Sequence, residues 1–364
     1  MPVFMDRHDV SEKVTATQLA ELHQLDLEVQ HKYHCKILTH WFDDKYKTAF
    51  CLVDAPCEQA LVDMHLEAHG DLPDQIIPVD PAEVKDYLGR IKAVPETDDE
   101  TVNQIQQSAF RVLMVIGVDD CTVKPNPVRI EDSMGMLRDI FPGYYGRLVK
   151  VSRSSILVSF PNATQCILCA LEIHSQLAQI SQALQSNAVI LKTGISAGLP
   201  LAGGAGLFEA ARKEARALYY ISEGNIAVAP EVKSLYEEEN PEVYLEHDLF
   251  LTLSPSDQKF LVPLLDYLDD TWQNPYLRVE DLEKSLGYSK SQLYRKIVSL
   301  LGDTPNNFIK NYRLRKALKR IQRKSESISD IAGNTGFKSP SYFSKCFQKR
   351  YGVLPSVYMQ QGMA

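Results

Sequence analysis

The sequence predicts a multidomain protein: two mixed α+β units followed by an all-α unit. Three observations carry this reading. The 364 residues exceed what one ordinary core organises. Two polar stretches interrupt the apolar patterning: about 81–107, with Pro95-Glu96-Thr97-Asp98-Asp99-Glu100, and 237–257, with Glu237-Glu238-Glu239-Asn240-Pro241 and Ser254-Pro255-Ser256-Asp257. Beyond the second stretch strand-like alternation stops and only helical spacing remains. The units so divided are 1–80, 108–250 and 257–364.

In the first unit, Val3 to His8 alternates, and Thr15 to Gln30 carries Leu19, Leu22, Leu25 and Val29 at helical spacing. Ile37 to Phe42 and Thr48 to Val53 flank a polar turn at Asp43-Asp44-Lys45. Glu58 to His69 reads as a second helix and Gln75 to Val79 as a last strand. Strand, helix, strand, strand, helix, strand is the ferredoxin-like split order. In the second unit, Arg111 to Val118, Arg147 to Val151, Ile156 to Phe160, Val189 to Ala197 and Asn225 to Ala229 read as strands. Ala163 to Leu184 is a long helix with apolar Ile167, Leu168, Leu171, Ile173 and Leu177. This mixture predicts an α/β sandwich.

The third unit contains an internal duplication at an offset of fifty residues. Ser289, Ser291, Leu293, Arg295, Leu301, Gly302, Pro305 and Phe308 are matched by Ser339, Ser341, Phe343, Lys345, Tyr351, Gly352, Pro355 and Tyr358. Each copy spells helix, short turn, helix. The first helix of the first copy, Val279 to Leu286, ends at Gly287, which suits a tight turn. Ser289 with Gln292 then forms a capping box. In the second copy Ile328 to Thr335 ends at Gly336; Ser339 caps, and Pro340 takes the first helical position, where no N–H is needed. Leu293, Ile297 and Leu300 would pack inward, as would Phe343 and Phe347. Ser291, Gln292, Arg295 and Lys296 in one copy, with Ser341, Tyr342 and Lys345 in the other, would face out and could reach base edges and phosphates in a major groove. The helix between the copies, Pro305 to about Lys324, is rich in Arg and Lys.

Charge agrees. The net of -8 hides 18 Lys+Arg against 10 Asp+Glu from Asp257 onward, leaving 21 against 37 before it. An acidic body with one basic end fits a protein in which a single domain meets a polyanion. No run of eighteen apolar residues could span a bilayer, and the start has no basic-then-apolar order of a secretory signal. Seven scattered cysteines suit a reducing compartment, so a cytoplasmic location is expected.

Residues 260–360 resemble the DNA-binding domain of the AraC/XylS family. The resemblance rests on Ser327-Ile328-Ser329-Asp330-Ile331-Ala332, Gly336-Phe337, Ser341-Tyr342-Phe343-Ser344-Lys345 and Tyr351-Gly352-Val353-Leu354-Pro355. It implies one monomer laying two recognition helices into successive major grooves of promoter DNA, about 34 Å apart. It also implies that the N-terminal part senses an effector and governs dimerisation. Gly333-Asn334 departs from the family, where a helix former is usual, so a loosened helix end is expected there.

Seven of nine histidines precede Gly70. His8, His23, Cys51, His65 and His69 are candidate metal ligands, with Asp6 and Asp26 of the right type nearby. His65 and His69, four apart on one helix, share a face and could chelate one ion. Imidazole with thiolate suits zinc, nickel or copper rather than magnesium; the residues alone equally allow surface histidines without a ligand. Met5-Asp6-Arg7-His8-Asp9, Asp26-Leu27-Glu28-Val29-Gln30, Thr39-His40-Trp41-Phe42-Asp43, Phe50-Cys51-Leu52-Val53-Asp54-Ala55-Pro56 and His65 to Gly70 resemble a small family of nickel-binding ferredoxin-like proteins. That resemblance implies a metal-binding, often dimeric unit.

Residues 110–235 resemble the class III nucleotide cyclase domain through Gly146-Arg147-Leu148-Val149-Lys150, Leu157-Val158-Ser159-Phe160, Cys169-Ala170-Leu171-Glu172-Ile173, Lys192 to Gly198 and Gly224-Asn225-Ile226-Ala227-Val228. Such cyclases need two aspartates for metal, an Asn and an Arg. Here one aspartate position holds Ser154 and the other falls on Ile116-Gly117-Val118, with Asp119 and Asp120 just beyond. Arg212 stands for the asparagine, and only Arg216 matches the catalytic arginine. The resemblance thus implies a degenerate domain kept for dimerisation, or for nucleotide binding through Arg216, rather than an enzyme; the alternative is an active cyclase fused to a DNA-binding domain. Cys166 and Cys169, three apart on an apolar helix, read as buried small hydrophobes.

Overall fold

The computed structural model describes residues 1–89, 91, 108–120, 135–152, 155–183, 189–202, 206–245, 248–323 and 325–361. At the N-terminus, strands β1 (Val3–Asp9), β2 (Lys36–Asp43), β3 (Thr48–Asp54) and β4 (Gln75–Val79) interleave with helices α1 (Ala16–Val29) and α2 (Glu58–Ala68) in the predicted order. The sheet runs β2-β3-β1-β4 with antiparallel neighbours. Thr15 starts α1 because its side chain accepts from the Gln18 N–H while Gln18 reaches back to the cap N–H, satisfying two otherwise orphaned donors.

This sheet is buried on both faces, and side-chain alternation sorts the two. Met5, Trp41, Phe50 and Leu52 join a large apolar core shared with the middle unit, whereas Phe4, Cys51 and Val53 pack with Leu61 and Met64 of α2. The polar stretch expected to begin a connector at Pro81 instead starts with a helix, α3 (Pro81–Leu88). Asp80 caps it, Pro81 occupies its first turn, and Val84 and Tyr87 are fully buried, so its acids lie on the outer side of a docked element. The Ser159 hydroxyl donates to the Tyr87 carbonyl at 2.9 Å, and Arg111 donates to the Tyr87 and Leu88 carbonyls.

The middle sheet has order β10-β9-β8-β5-β7-β6, built from β5 (Arg111–Asp120), β6 (Arg147–Val151), β7 (Ile156–Phe160), β8 (Val189–Gly198), β9 (Ile226–Val228) and β10 (Phe250–Thr252). Pairs around β5 and β7 are antiparallel, and β8-β9-β10 is parallel. Helices α4 (Ala163–Ala183), α5 (Glu209–Ile221) and α6 (Pro230–Glu239) complete the unit. Gly194 lets α5 lie directly on β8: a Cβ there would fall 2.1 Å from the Tyr219 nitrogen and 2.2 Å from the Ala215 oxygen. The second polar stretch contains the end of α6, all of β10 and the start of the next helix.

Among the described residues seven helices follow: α7 (Pro255–Thr271), α8 (Val279–Leu286), α9 (Lys290–Leu301), α10 (Pro305–Arg323), α11 (Ile328–Asn334), α12 (Pro340–Tyr351) and α13 (Pro355–Gln361). The duplication is visible in the backbone. Ser289 and Ser339 cap α9 and α12, and Gly302 and Gly352 end them at φ 64° and 78°. At the family departure, α11 stops at Asn334, one residue short of the expectation. Its end is tied rather than loose: the Thr335 hydroxyl donates to the Ile331 carbonyl at 2.6 Å and Asn334 donates to Glu326 at 2.7 Å. Among the described residues, no helix is long and apolar enough to cross a membrane.

Candidate metal centre and nucleic-acid interface

Alternation along β1 puts Asp6 and His8 on the face covered by α1 and α2. Asp6 is paired with Cys51 of β3, and Cys51 with His40 of β2, so one row crosses three strands. Above it, α1 supplies His23 and Asp26, three apart, while α2 supplies His65 and its C-cap supplies His69. The result is two interlocked groups among the described residues, Asp6–His8–His65 and Asp26–His65–His69. His65 sits between the carboxylates, with Nε2 3.1 Å from Asp6 Oδ2 and Nδ1 3.0 Å from Asp26 Oδ1. His69 Nε2 is 3.2 Å from Asp26 Oδ1, and His8 Nε2 is 3.7 Å from Asp6 Oδ1. Asp6 Oδ1 also accepts the Cys51 N–H at 2.9 Å.

The protonation pattern follows from this packing. Burial opposes charge on His65, but hydrogen bonds to Asp26 and Asp6 prevail and raise its pKa to about 10. Burial would raise the Asp26 carboxyl; His65 and His69 outweigh it and hold it near 2. Burial, against the pull of Asp6 and Asp26, lowers His23 to about 4 and lowers His8, and burial together with the same two carboxylates pushes the Cys51 thiol up. Two carboxylates around three imidazoles, only partly balanced by the His65 imidazolium, form a donor set suited to a borderline divalent ion such as nickel or zinc.

His8, His65 and His69 therefore meet, together with Asp6 and Asp26. His23 and Cys51 line the same cavity of about 380 Å³ but belong to neither group. His40, not among the predicted ligands, also lines it, its ring 3.9 Å from that of His23. Its position opposite Cys51 in the strand alternation was the available signal.

At the C-terminus, Ser291, Gln292 and Arg295 on α9 and Ser341, Tyr342 and Lys345 on α12 are exposed, each group beginning in the first turn of a capped helix. Gln292 Oε1 accepts from Ser289, which commits part of that side chain to the cap. Lys296 is drawn back onto its own domain, 3.4 Å from Asp257 and over the Phe260 and Tyr288 rings. Tyr294, 50% exposed beside Arg295, is an outward group that the predicted set lacks. The cations of α10 largely brace the fold. Arg313 donates to the Trp272 and Asn274 carbonyls, Lys316 pairs with Asp269 at 2.8 Å, and Arg320 with Glu326 at 2.9 Å. Lys324 lies outside the described residues.

In the middle unit, Arg216 is placed 2.6 Å from Asp269 of α7, and Arg212 lies 3.7 Å from Glu83 of α3. Ile116 and Val118 are buried apolar side chains in β5. Ser154 and the side chains of Asp119 and Asp120 lie outside the description. Cys166 and Cys169 are buried free thiols, held protonated by burial.

Comparison with known proteins agrees at both ends. Residues 282–361 match the family model described as a helix-turn-helix domain, and residues 4–79 match that described as nickel responsive protein SCO4226-like. The regulatory protein SoxS of Escherichia coli is 30% identical over 103 residues, 28% of this chain and 95% of SoxS. The chain belongs to the AraC/XylS family. This AraC/XylS-family chain is also 36% identical over 111 residues to histidine kinase P4 of Formosa agariphila, 30% of this chain but 8% of that one. It spans 40% of the regulator MtrA of Neisseria gonorrhoeae and 33% of the lactose operon transcription activator of Staphylococcus xylosus. The solved structure of SCO4226 from Streptomyces coelicolor is 32% identical, with 21% of this chain covering 94% of that one at a TM-score of 0.20.

Proposed function

We propose that this AraC/XylS-family protein is a promoter-binding transcription regulator whose DNA affinity is set by a divalent transition-metal ion, nickel by preference, at its N-terminal domain. The DNA reading rests on one observation above all: two serine-capped helices, α9 and α12, present Ser291 with Arg295 and Ser341 with Lys345 at equivalent exposed positions. Fluorescence anisotropy of the full chain on a duplex from its own upstream region, at fixed salt, tests it. Binding that does not discriminate this duplex from scrambled DNA would remove the assignment.

Asp6, His8, Asp26, His65 and His69 would hold the ion, with His23 and Cys51 in the surrounding wall. Bound there, the ion supplies a positive centre joining β1, α1 and α2. Until then the His65 imidazolium lies between both carboxylates, so taking up the ion requires His65 to give up its proton. Addition of NiCl2 should change duplex affinity; an unchanged isotherm would leave the N-terminal domain without a sensing role.

The middle unit we read as a degenerate cyclase-like scaffold through which two copies pair and by which the ends communicate. Support comes from its contacts. Arg7 donates to the Leu201 carbonyl at 3.1 Å, Tyr87 packs on Phe208 with centroids 4.8 Å apart, and α5 carries Arg216 to Asp269 and Tyr220 to Phe308 and Tyr312. The competing reading, an active cyclase, requires cyclic product from ATP or GTP with manganese. The pairing of Arg216 with Asp269 argues against it.

A further inference from the structure

His65 offers its two ring nitrogens to two different sets of partners. Nδ1 lies 3.0 Å from Asp26 Oδ1 and 3.4 Å from His69 Nε2, and those two atoms are 3.2 Å apart. Donors held about 2 Å from a tetrahedral ion stand about 3.3 Å from one another, so these three atoms already form one face of a coordination shell. Nε2 lies 3.1 Å from Asp6 Oδ2, while His8 Nε2 lies 3.7 Å from Asp6 Oδ1 and the His8 ring stands edge-on to His65 with centroids 5.0 Å apart. The two groups share no residue but His65. The nitrogens of an imidazole diverge across the ring, so no single ion can take both. One ion on Nδ1 would leave Nε2–H to donate to Asp6, the usual pairing of a metal-bound histidine with an orienting carboxylate. That role asks for no second imidazole. Yet His8 joins Asp6, which makes the Nε2 side a donor set in its own right, two imidazoles with a fully buried carboxylate.

We propose that His65 bridges two divalent ions, one on Nδ1 with Asp26 and His69 and one on Nε2 with Asp6 and His8. The bridging ring is an imidazolate, both of its N–H protons having passed to solvent, so two carboxylates and one imidazolate face two dications. His8 and His65 of one group and Asp26, His65 and His69 of the other line the cavity of about 380 Å³, which has room for the water that would complete each shell. At His69, loading Nε2 leaves the ring proton on Nδ1, and the exposed Asp71 N–H that Nδ1 otherwise accepts at 3.1 Å turns to water. This rests on the metal-binding reading above and adds a second ion to it.

Equilibrium dialysis of the full chain against NiCl2 should retain about two equivalents, falling to about one in His8→Ala and in His69→Ala. Copper serves as the spin probe for the bridge. With CuCl2 the low-temperature electron paramagnetic resonance signal should rise through the first equivalent and fall through the second, because an imidazolate between the ions pairs their spins. His8→Ala should abolish the fall and keep the signal of a single ion. Only one nickel equivalent in the wild type would assign Asp6 to orienting His65 and overturn the inference. A copper signal that doubles, as from two unbridged ions, overturns it as well. Either outcome leaves the metal reading standing, and that reading falls only if no nickel is retained. The wild-type arms decide the matter even if neither variant folds.

Discussion

Replacing Asp269 with alanine should destabilise the C-terminal unit by about 2–3 kcal/mol, a figure built from three donors. Asp269 is 22% exposed; it receives the Lys316 ammonium at 2.8 Å, the Arg216 guanidinium at 2.6 Å and the Tyr312 hydroxyl. Tyr312 is 4% exposed, so its stranded hydroxyl costs about 1–2 kcal/mol. Lys316, 26% exposed, adds about 1 kcal/mol. Arg216 is 58% exposed and solvent-screened, so it adds under about 0.5 kcal/mol. The two partners of the main pair shift differently. Burial would raise the Asp269 carboxyl, yet Lys316, Tyr312 and Arg216 together hold it below its ordinary value, while burial drags Lys316 down despite its carboxylate. The carboxylate collects three donors whereas the ammonium exchanges its water for one acceptor, so the pair contributes less than the Asp269 shift alone would suggest.

In a Trp41→Phe background only Trp272 remains of the two tryptophans, and it lies beneath Lys316, so its fluorescence in urea follows this unit. A depressed carboxyl contributes stability present above the unfolded value, about 3.9, and lost as pH falls through the lower folded one. The difference between wild type and Asp269→Ala should hold from neutral pH down to about 5 and shrink below about 4. Arg216→Ala should cost less than about 0.5 kcal/mol. Equal losses from Asp269→Ala and Arg216→Ala, or a difference unaltered at low pH, would refute the account of this bridge.

Arg295→Ala should weaken specific binding by about 1–3 kcal/mol and relax one base preference, read by competition with single-base variants of the duplex; a uniform loss on all sequences would assign Arg295 to phosphate. His65→Ala removes the imidazole common to both ligand groups and should lower nickel affinity at least about tenfold by calorimetry, and an unchanged isotherm would move the site elsewhere. Phe347→Ala empties a fully buried position in the separate C-terminal core and should cost about 3–5 kcal/mol, visible as a lost urea transition of α11 to α13 with the Trp272 transition retained. Gly336→Ala places a Cβ 2.7 Å from the Trp272 carbonyl at φ +77°, so it should reduce affinity for a full site far more than for either half-site.

What the sequence made legible was whatever depends on local periodicity. The N-terminal strand and helix order, the serine caps of α9 and α12 and the fifty-residue duplication all follow from neighbouring side chains and backbone donors. Polarity misled at the joints. Pro81 and the acids after it look like a connector, but Val84 and Tyr87 give α3 a buried stripe that two apolar residues among eight barely announce. Helix α5 escaped because three of its buried residues, Ala211, Ala215 and Ala217, are alanines beside Leu218, and its closeness to β8 depends on Gly194 in a distant segment. The site was legible by residue type and not by geometry. His65 and His69 declare themselves by spacing, but nothing local says that Asp6 and Asp26 flank His65 or that His40 shares the cavity. The basic character of α10 was plain, while its use was not: Arg313, Lys316 and Arg320 answer carbonyls and carboxylates contributed by α7 and by the segments after α7 and α10.

The division of the apolar core bears on how an N-terminal event could reach DNA. Leu293 and Ile297 of α9 lie in one continuous cluster with the middle sheet, Tyr87 and the outer face of the N-terminal sheet. Phe343 and Phe347 of α12 lie in another, with Leu314, Ala317 and Ile321 of α10. The first recognition helix thus moves with the body of the protein, whereas the second is carried on the far half of α10. Tyr312 and Leu314 fall on either side of that division, and Arg313 between them bonds to the Trp272 and Asn274 carbonyls, the first of which Gly336 also approaches. Separately packed bodies joined by one helix, the Arg313 bonds and Lys338 lying over the Tyr276 ring at 4.4 Å have a softer relative orientation than a single core allows. A small displacement of the N-terminal sheet would therefore move α9 relative to α12 rather than move both together, and the spacing between successive major grooves converts that displacement into affinity.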